Sequence, residues 1–225
     1  MHRFFYLYLI IINRNMKFDQ LRSRMRQRLT FRPSDLHGGS PAKAHESVQF
    51  SHWVKGKKLL RLKRGLYTLF PDDHSTPISA LSLAEPLYRP SYLSLAWALS
   101  HYGLIPEAVG ALTSVTTLKT ARFTNYFGSF LYQHIHPRFF FGFVRRPGNE
   151  PLWMALPEKA VLDFIHLGIP ASEPLTERLF LDSYRFQNLK MINRSRFRSF
   201  LRRFLRPRVQ KGGRVLLRLM ENSHD

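Results

Sequence analysis

After Gly56 the sequence changes its period, and that change limits what the first third of the chain can fold into. Residues 57–70 alternate apolar and basic side chains around Arg64-Gly65, with Leu60, Leu62, Leu66 and Tyr67 set against Arg61, Lys63 and Arg64. Such alternation about a glycine turn predicts a two-stranded ribbon. The residues before it have helical spacing instead. Residues 18–31 place Phe18, Leu21, Met25 and Leu29 on one side and Arg22, Arg24, Arg26 and Arg28 on the others, which predicts a basic amphipathic helix. Arg32-Pro33-Ser34-Asp35-Leu36 opens a short second helix that His37-Gly38-Gly39 ends. Ser40-Pro41 then supplies an N-cap and a first-turn proline for a third helix over 41–55, with Gly56 as its stop. Phe50, Trp53 and Val54 give that helix a buried side, and His45, Gln49 and His52 fall on a polar stripe at i, i+4 and i+7.

Three helices followed by a basic hairpin is the order of a winged helix-turn-helix, in which the third helix enters the major groove and the wing follows the phosphates. Lys43, His45, Gln49 and His52 are then the groove-facing candidates. Gln49 is the best of them for a base edge, because glutamine can pair bidentately with adenine. Lys57, Lys58, Arg61, Lys63 and Arg64 are the candidates for phosphates. The plainer reading of these five is an edge hairpin kept soluble by charge. Five cations without an acid in eight residues exceed that need.

The charge of the whole chain supports a polyanionic partner. Across 225 residues, 35 Lys+Arg face 15 Asp+Glu, a formal net charge of +20. It is concentrated at the ends. Residues 1–75 hold 15 basic and 5 acidic side chains, 76–174 hold 7 and 6, and 175–225 hold 13 and 4. The balanced middle carries 15 of the 31 aromatics and reads as a core. With no cysteine, disulfide frameworks and cysteine-based metal sites are excluded.

Residues 1–15 form an apolar leader. Its nine-residue run at 4–12 is far short of the roughly 18–20 needed to span a bilayer, and Met16 opens a more ordinary protein start. The expected domains are therefore 16–75, the winged helix, and 76–225, a mixed α/β domain whose basic helical tail is 175–225. Residues 71–76 read as the linker, with Asp72 and Asp73 solvated. Beyond it, Ser94 to Tyr102 is a helix apolar on nearly every side. Short β-rich runs follow at 112–117, 121–126, 130–135, 139–146 and 152–155, with an antiparallel flavour, and then a helix at 157–167. In the tail, Phe197, Phe200, Leu201, Phe204 and Leu205 share one helical face, opposite Arg196, Arg198, Arg202, Arg203 and Arg206. Arg196, Arg202, Arg203 and Arg206 are the tail's candidates for nucleic acid or an acidic partner, ahead of a membrane surface. The fold class is α+β.

No catalytic constellation emerges. Gly56-Lys57 lacks the earlier glycine of a phosphate-binding loop, because Ser51 stands there. His134 and His136 have no acidic or cysteine neighbour to complete a metal site and read as core or surface histidines. Lys159 and Asp163 read as a helical ion pair beside Glu158. The expectation is a non-enzyme without cofactor or metal. A winged-helix-targeted nuclease and an RNA-binding protein acting through the basic tail are the alternatives.

Four ordered blocks carry a family likeness: LLRLKRGLYTL at 59–69, PSYLSLAWALSHYGLIPE at 90–107, TSVTTLKTARFTNYFGSFLYQHIHP at 113–137 and ALPEKAVLDFIHL at 155–167. Together they span residues 59–167, about half the chain, and here the sequence resembles the AbiEi antitoxins of bacterial abortive-infection, type IV toxin–antitoxin systems. The resemblance implies a cytoplasmic autorepressor that binds inverted repeats in its own promoter through an N-terminal winged helix, as a monomer or with weak self-association on DNA. It also implies a C-terminal domain that counteracts a nucleotidyltransferase toxin, directly or indirectly. The chain departs from the family in its apolar leader and in a third helix with few arginines. It is not such a toxin itself, since no Asp-x-Asp follows Gly39-Ser40.

Overall fold

A computed structural model describes residues 16–37, 44–147 and 152–222, and shows a mixed α+β protein. The chain divides into two compact units. One runs to Ser79 and includes Asn125–Phe127; the other holds Ala80–Thr124 and the chain from Gly128 onward. The boundary follows Ser79, where the sequence suggests residue 75.

In the first unit, helix α1 spans Phe18–Met25 and α2 spans Ala44–Lys55, with a 3-10 turn at Pro33–His37 between them. Strands β1 (Leu60–Lys63) and β2 (Leu66–Thr68) form an antiparallel ribbon turning at Arg64-Gly65, where Gly65 takes the positive φ of 72° that the reversal requires. α1 is shorter than the spacing over 18–31 predicts. It stops at Met25 because the chain must straighten for Phe31, whose N–H and C=O each pair with Tyr67 at 2.9 Å and add a third line to the ribbon. Leu21, Met25, Phe31, Phe50, Leu59, Tyr67 and Leu69 make the core. Phe50 is its hub, with ring centroids 4.9 Å from Tyr67, 5.4 Å from Trp53 and 6.3 Å from Phe31. Burying such a side chain contributes about 1.5–3 kcal/mol.

Residues 71–76 are not a free linker. Pro71–Asp73 form a 3-10 turn, the Ser75 N–H and hydroxyl both donate to the Arg26 carbonyl at 2.9 and 3.0 Å, and Asp73 pairs with Arg22 at 3.5 Å. The segment is thus tied to α1 and its C-terminal end, and Asp73 is partnered where the sequence suggested solvation.

The second unit is built on a six-stranded sheet in the order β5-β6-β4-β3-β8-β7. The strands are β3 (Ser91–Leu93), β4 (Leu112–Thr116), β5 (Ala121–Asn125), β6 (Gly128–His134), β7 (Phe143–Arg146) and β8 (Leu152–Ala155). The sheet is mixed rather than antiparallel, because β4 runs parallel to β6 and β3 parallel to β8. β3, only three residues long and buried throughout, sits between them. Helix α3 (Ala80–Leu87) precedes it and α4 (Leu95–His101) follows. α5 (Pro157–Asp163) runs on into a π turn to Gly168, and α6 (Arg194–Arg203) and α7 (Pro207–Asn222) end the chain.

Two boundaries differ from the sequence reading. The strand expected at 139–146 begins only at Phe143, since Pro137–Phe139 is a 3-10 turn. α6 ends at Arg203, before Pro207 opens α7, so Leu205 is 67% exposed and does not join the buried face of Phe197, Leu201 and Phe204. Among the described residues no helix is long and apolar enough to cross a membrane.

Candidate nucleic-acid interface

The outward face of α2 consists of Ser47, Val48, Ser51, His52 and Lys55, which line a shallow surface depression. Gln49 is not among them. It is half-buried and its Nε2 donates to the Met16 carbonyl at 2.7 Å, so its amide is committed to the chain's own backbone. Its place next to Phe50 and one turn before Trp53 turns it inward, which the polar stripe at i, i+4, i+7 did not reveal. His52 is exposed, as expected. Ser40-Pro41, Lys43 and the His45 side chain lie outside the described residues.

α2 ends in a motif that aims cations outward. The N–H of Lys57 donates to Val54 O at 3.1 Å and that of Lys58 to Trp53 O at 2.8 Å, closing the helix with Lys57, not Gly56, in the left-handed conformation at φ 53°. Lysine there costs about 1 kcal/mol relative to glycine. Lys57→Gly is accordingly expected to raise the first unit's melting midpoint by roughly 4–8 °C per kcal/mol while lowering its affinity for a polyanion, as thermal melts and a titration would show.

Lys57, Lys58, Arg61 and Arg64 are exposed. Lys63 is half-buried, and burial together with the Arg32 guanidinium lowers its amine below the ordinary lysine value. It is the least available of the five. Arg22 is held by Asp19 at 3.3 Å and Asp73 at 3.5 Å, whereas Lys55, Lys57, Lys58, Arg61 and Arg64 make no ion pair among the described residues. These exposed cations follow one another in sequence from the C-terminal end of α2, where the helix dipole favours positive charge, to the turn of the ribbon, and Lys58 also lies over the Phe18 ring at 5.5 Å.

The tail candidates divide. Arg196 faces the buried Glu158 carboxylate at 3.7 Å, and the Arg203 guanidinium lies 3.6 Å from the centroid of Phe141. Arg202 and Arg206 are exposed and make no ion pair among the described residues. No protein-family model, curated protein or solved structure matches this chain.

The feature sequence reasoning missed is interior. Lys159 and Asp163 are a helical pair, as their spacing predicts, but both are 0% exposed. The Lys159 ammonium contacts Asp163 Oδ1 and donates to the Tyr92 hydroxyl at 2.8 Å. The Tyr92 and Ser94 hydroxyls in turn donate to Asp163 Oδ2 at 3.0 and 2.8 Å. Tyr92, Phe141 and Phe204 rings surround the ammonium at 5.4, 5.3 and 5.0 Å. Burial lowers the Lys159 amine, with Asp163 opposing, and raises the Tyr92 phenol well above its ordinary value. Glu158 accepts the Asn193 N–H at 2.8 Å and so fixes the start of α6. The sequence signal was the apolar context of both segments, PSYLSL and PEKAVLD, which left no solvent face for their polar residues.

His134 and His136 serve the backbone: His134 Nδ1 is 2.8 Å from Leu118 O, and His136 Nδ1 accepts the Arg138 N–H at 3.3 Å. No group of three or more acidic or histidine side chains that could hold a metal occurs among the described residues.

In the first unit, His74 Nε2 lies 2.9 Å from Thr68 Oγ1, and burial lowers its imidazole below the usual value of 6.5. The unfolded chain then binds this proton more tightly than the native one. Stability is full above pH 6.5 and falls as the pH drops through 6.5 toward the lower native value. The urea midpoint followed on Trp53 is expected to be lower at about pH 5.5 than at about pH 7.5, with His74→Gln flattening the difference.

Proposed function

We propose that the protein is a DNA-binding transcriptional autorepressor and antitoxin of a type IV toxin–antitoxin system, with a winged helix-turn-helix as its first unit and no enzymatic step. The observation that carries the DNA-binding half is that Lys55, Lys57, Lys58, Arg61 and Arg64, from the end of α2 into an acid-free ribbon, are all exposed and make no ion pair among the described residues. Exposed cations without an acidic partner are the groups that the phosphates of a duplex strand attract. The order helix, turn, helix, ribbon, with Phe31 paired to the ribbon, also fits a winged helix. With Gln49 tied to Met16, base-edge contacts in this reading fall to Ser47, Ser51 and His52, joined by His45 and Lys43.

The antitoxin half rests on the sequence blocks in the second unit that resemble AbiEi proteins. In this reading the protein works in the cytoplasm, sits on inverted repeats in its own promoter and opposes a nucleotidyltransferase toxin. The test has two arms. A gel shift with the gene's upstream DNA against excess unrelated duplex is expected to give specific retardation, and its absence removes the repressor. Co-expression with the adjacent reading frame is expected to restore growth that this frame alone arrests. A neighbour that is harmless alone removes the antitoxin.

A further inference from the structure

The second unit carries exposed arginines built on aromatic rings. Arg203 lies over Phe141 at 3.6 Å, close enough for the planar guanidinium to stack, and Arg138 lies 5.0 Å from the centroid of Phe139. The two rings are linked through Phe204, which stacks on Phe139 at 4.7 Å and 6° and meets Phe141 at 5.9 Å. Phe200 packs edge-on against Phe141 at 5.4 Å. Phe141 and Phe200 are half-buried, while Arg138, Arg202, Arg203 and Arg206 are exposed and make no ion pair among the described residues. Glu158 and Asp163 are buried, and Glu221 is taken by Arg198 at 3.0 Å.

The composition is selective. Residues 175–225 contain 11 Arg and 2 Lys, so the surface offers planar groups rather than point charges. A duplex presents phosphates to such a surface but keeps its base faces stacked inside. A single strand presents both, and its bases gain about 1–3 kcal/mol each by stacking on aromatic or guanidinium planes.

We infer that Arg203 on Phe141, with Arg138 on Phe139 and the flanking Arg202 and Arg206, forms a binding platform for single-stranded nucleic acid, separate in kind from the duplex contact proposed for the first unit. A base stacks on the Arg203 guanidinium and the neighbouring arginines hold its phosphates. The inference stands on second-unit geometry and does not depend on the promoter reading.

The test is fluorescence titration of the full chain with a roughly 15-nucleotide oligo(dT) carrying one 2-aminopurine, in parallel with a labelled duplex. Arg203→Lys keeps the charge and removes the plane. It is expected to lose roughly 5-fold or more in single-strand affinity together with much of the 2-aminopurine quenching, while duplex affinity changes less than about twofold. Phe141→Leu is expected to act in the same direction, and Arg203→Lys keeps the test decisive if that variant folds poorly. Wild-type affinity and quenching in Arg203→Lys would overturn the inference. So would a parallel loss on both probes, or a wild-type protein that binds anionic phospholipid vesicles or polyglutamate but not the oligonucleotide.

Discussion

Lys159→Met is expected to unfold the second unit or leave it barely stable. The substitution keeps the aliphatic volume but strands the Asp163 carboxylate at 0% exposure with only the Tyr92 and Ser94 hydroxyls for company. Breaking one side of a buried ion pair costs about 3–5 kcal/mol, a large part of the roughly 5–15 kcal/mol that holds a domain together. Asp163→Leu is expected to be as damaging, because it leaves the ammonium unpaired. The double variant Lys159→Met with Asp163→Leu removes both charges and should be less destabilised than the sum of the singles by at least about 2 kcal/mol, with the shortfall set by the two hydroxyls that lose their acceptor. Urea unfolding followed by far-UV circular dichroism, with near-UV dichroism for the packing of Trp97 and Trp153, measures all three. Additive losses would mean that the two side chains are not coupled.

The second large effect is on binding. Replacing Arg61 and Arg64 together by alanine removes two exposed, unpaired cations from the ribbon without touching its core, which is made by Leu59, Leu62, Leu66, Tyr67 and Leu69. Folding should be unchanged. At about 1–1.5 kcal/mol per charge-assisted phosphate contact, duplex affinity near 0.1 M salt is expected to fall roughly 30- to 150-fold, uniformly across sequences. His52→Ala should behave differently, weakening binding to the promoter repeats more than to unrelated DNA. Equal losses on both DNAs for His52→Ala would take α2 out of the base-reading role.

Which parts of this could be read from residues depended on where the determining contacts lie. The ribbon was legible because its alternation and Gly65 are local, and α4 because Leu95 to Leu99 is apolar on nearly every side. β3 was not legible: three residues at Ser91–Leu93 have no period, and they are a strand only because β4 and β8 flank them. α7 lies in the tail that the sequence reads as helical, but its bounds were not legible, because Gly212-Gly213 locally argue for a break. In the fold the missing side chains let α7 approach Ile165, Leu175 and Leu201, where an added Cβ would come within 2.5 to 3.1 Å of their side chains. Gln49 shows the same limit at the site, since its polar spacing was correct but the Met16 carbonyl that captures it lies 33 residues away. The Lys159 cluster is the strongest case: its i, i+4 spacing is that of a solvated pair, and only the apolar context of the two segments points to the Tyr92 and Ser94 hydroxyls that close over it.

In the proposed function the first unit's exposed cations meet duplex phosphates, so the affinity of the full chain for its gene's upstream duplex should fall steeply across a range of salt concentrations. Four exposed cations, Lys57 and Lys58 after α2 and Arg61 and Arg64 on the ribbon, predict a log–log slope of roughly −3.6 or steeper, at about −0.9 per phosphate neutralised, shallower by about 1.8 in the Arg61, Arg64 double variant. A flat slope, or a slope that the double variant leaves unchanged, would contradict it.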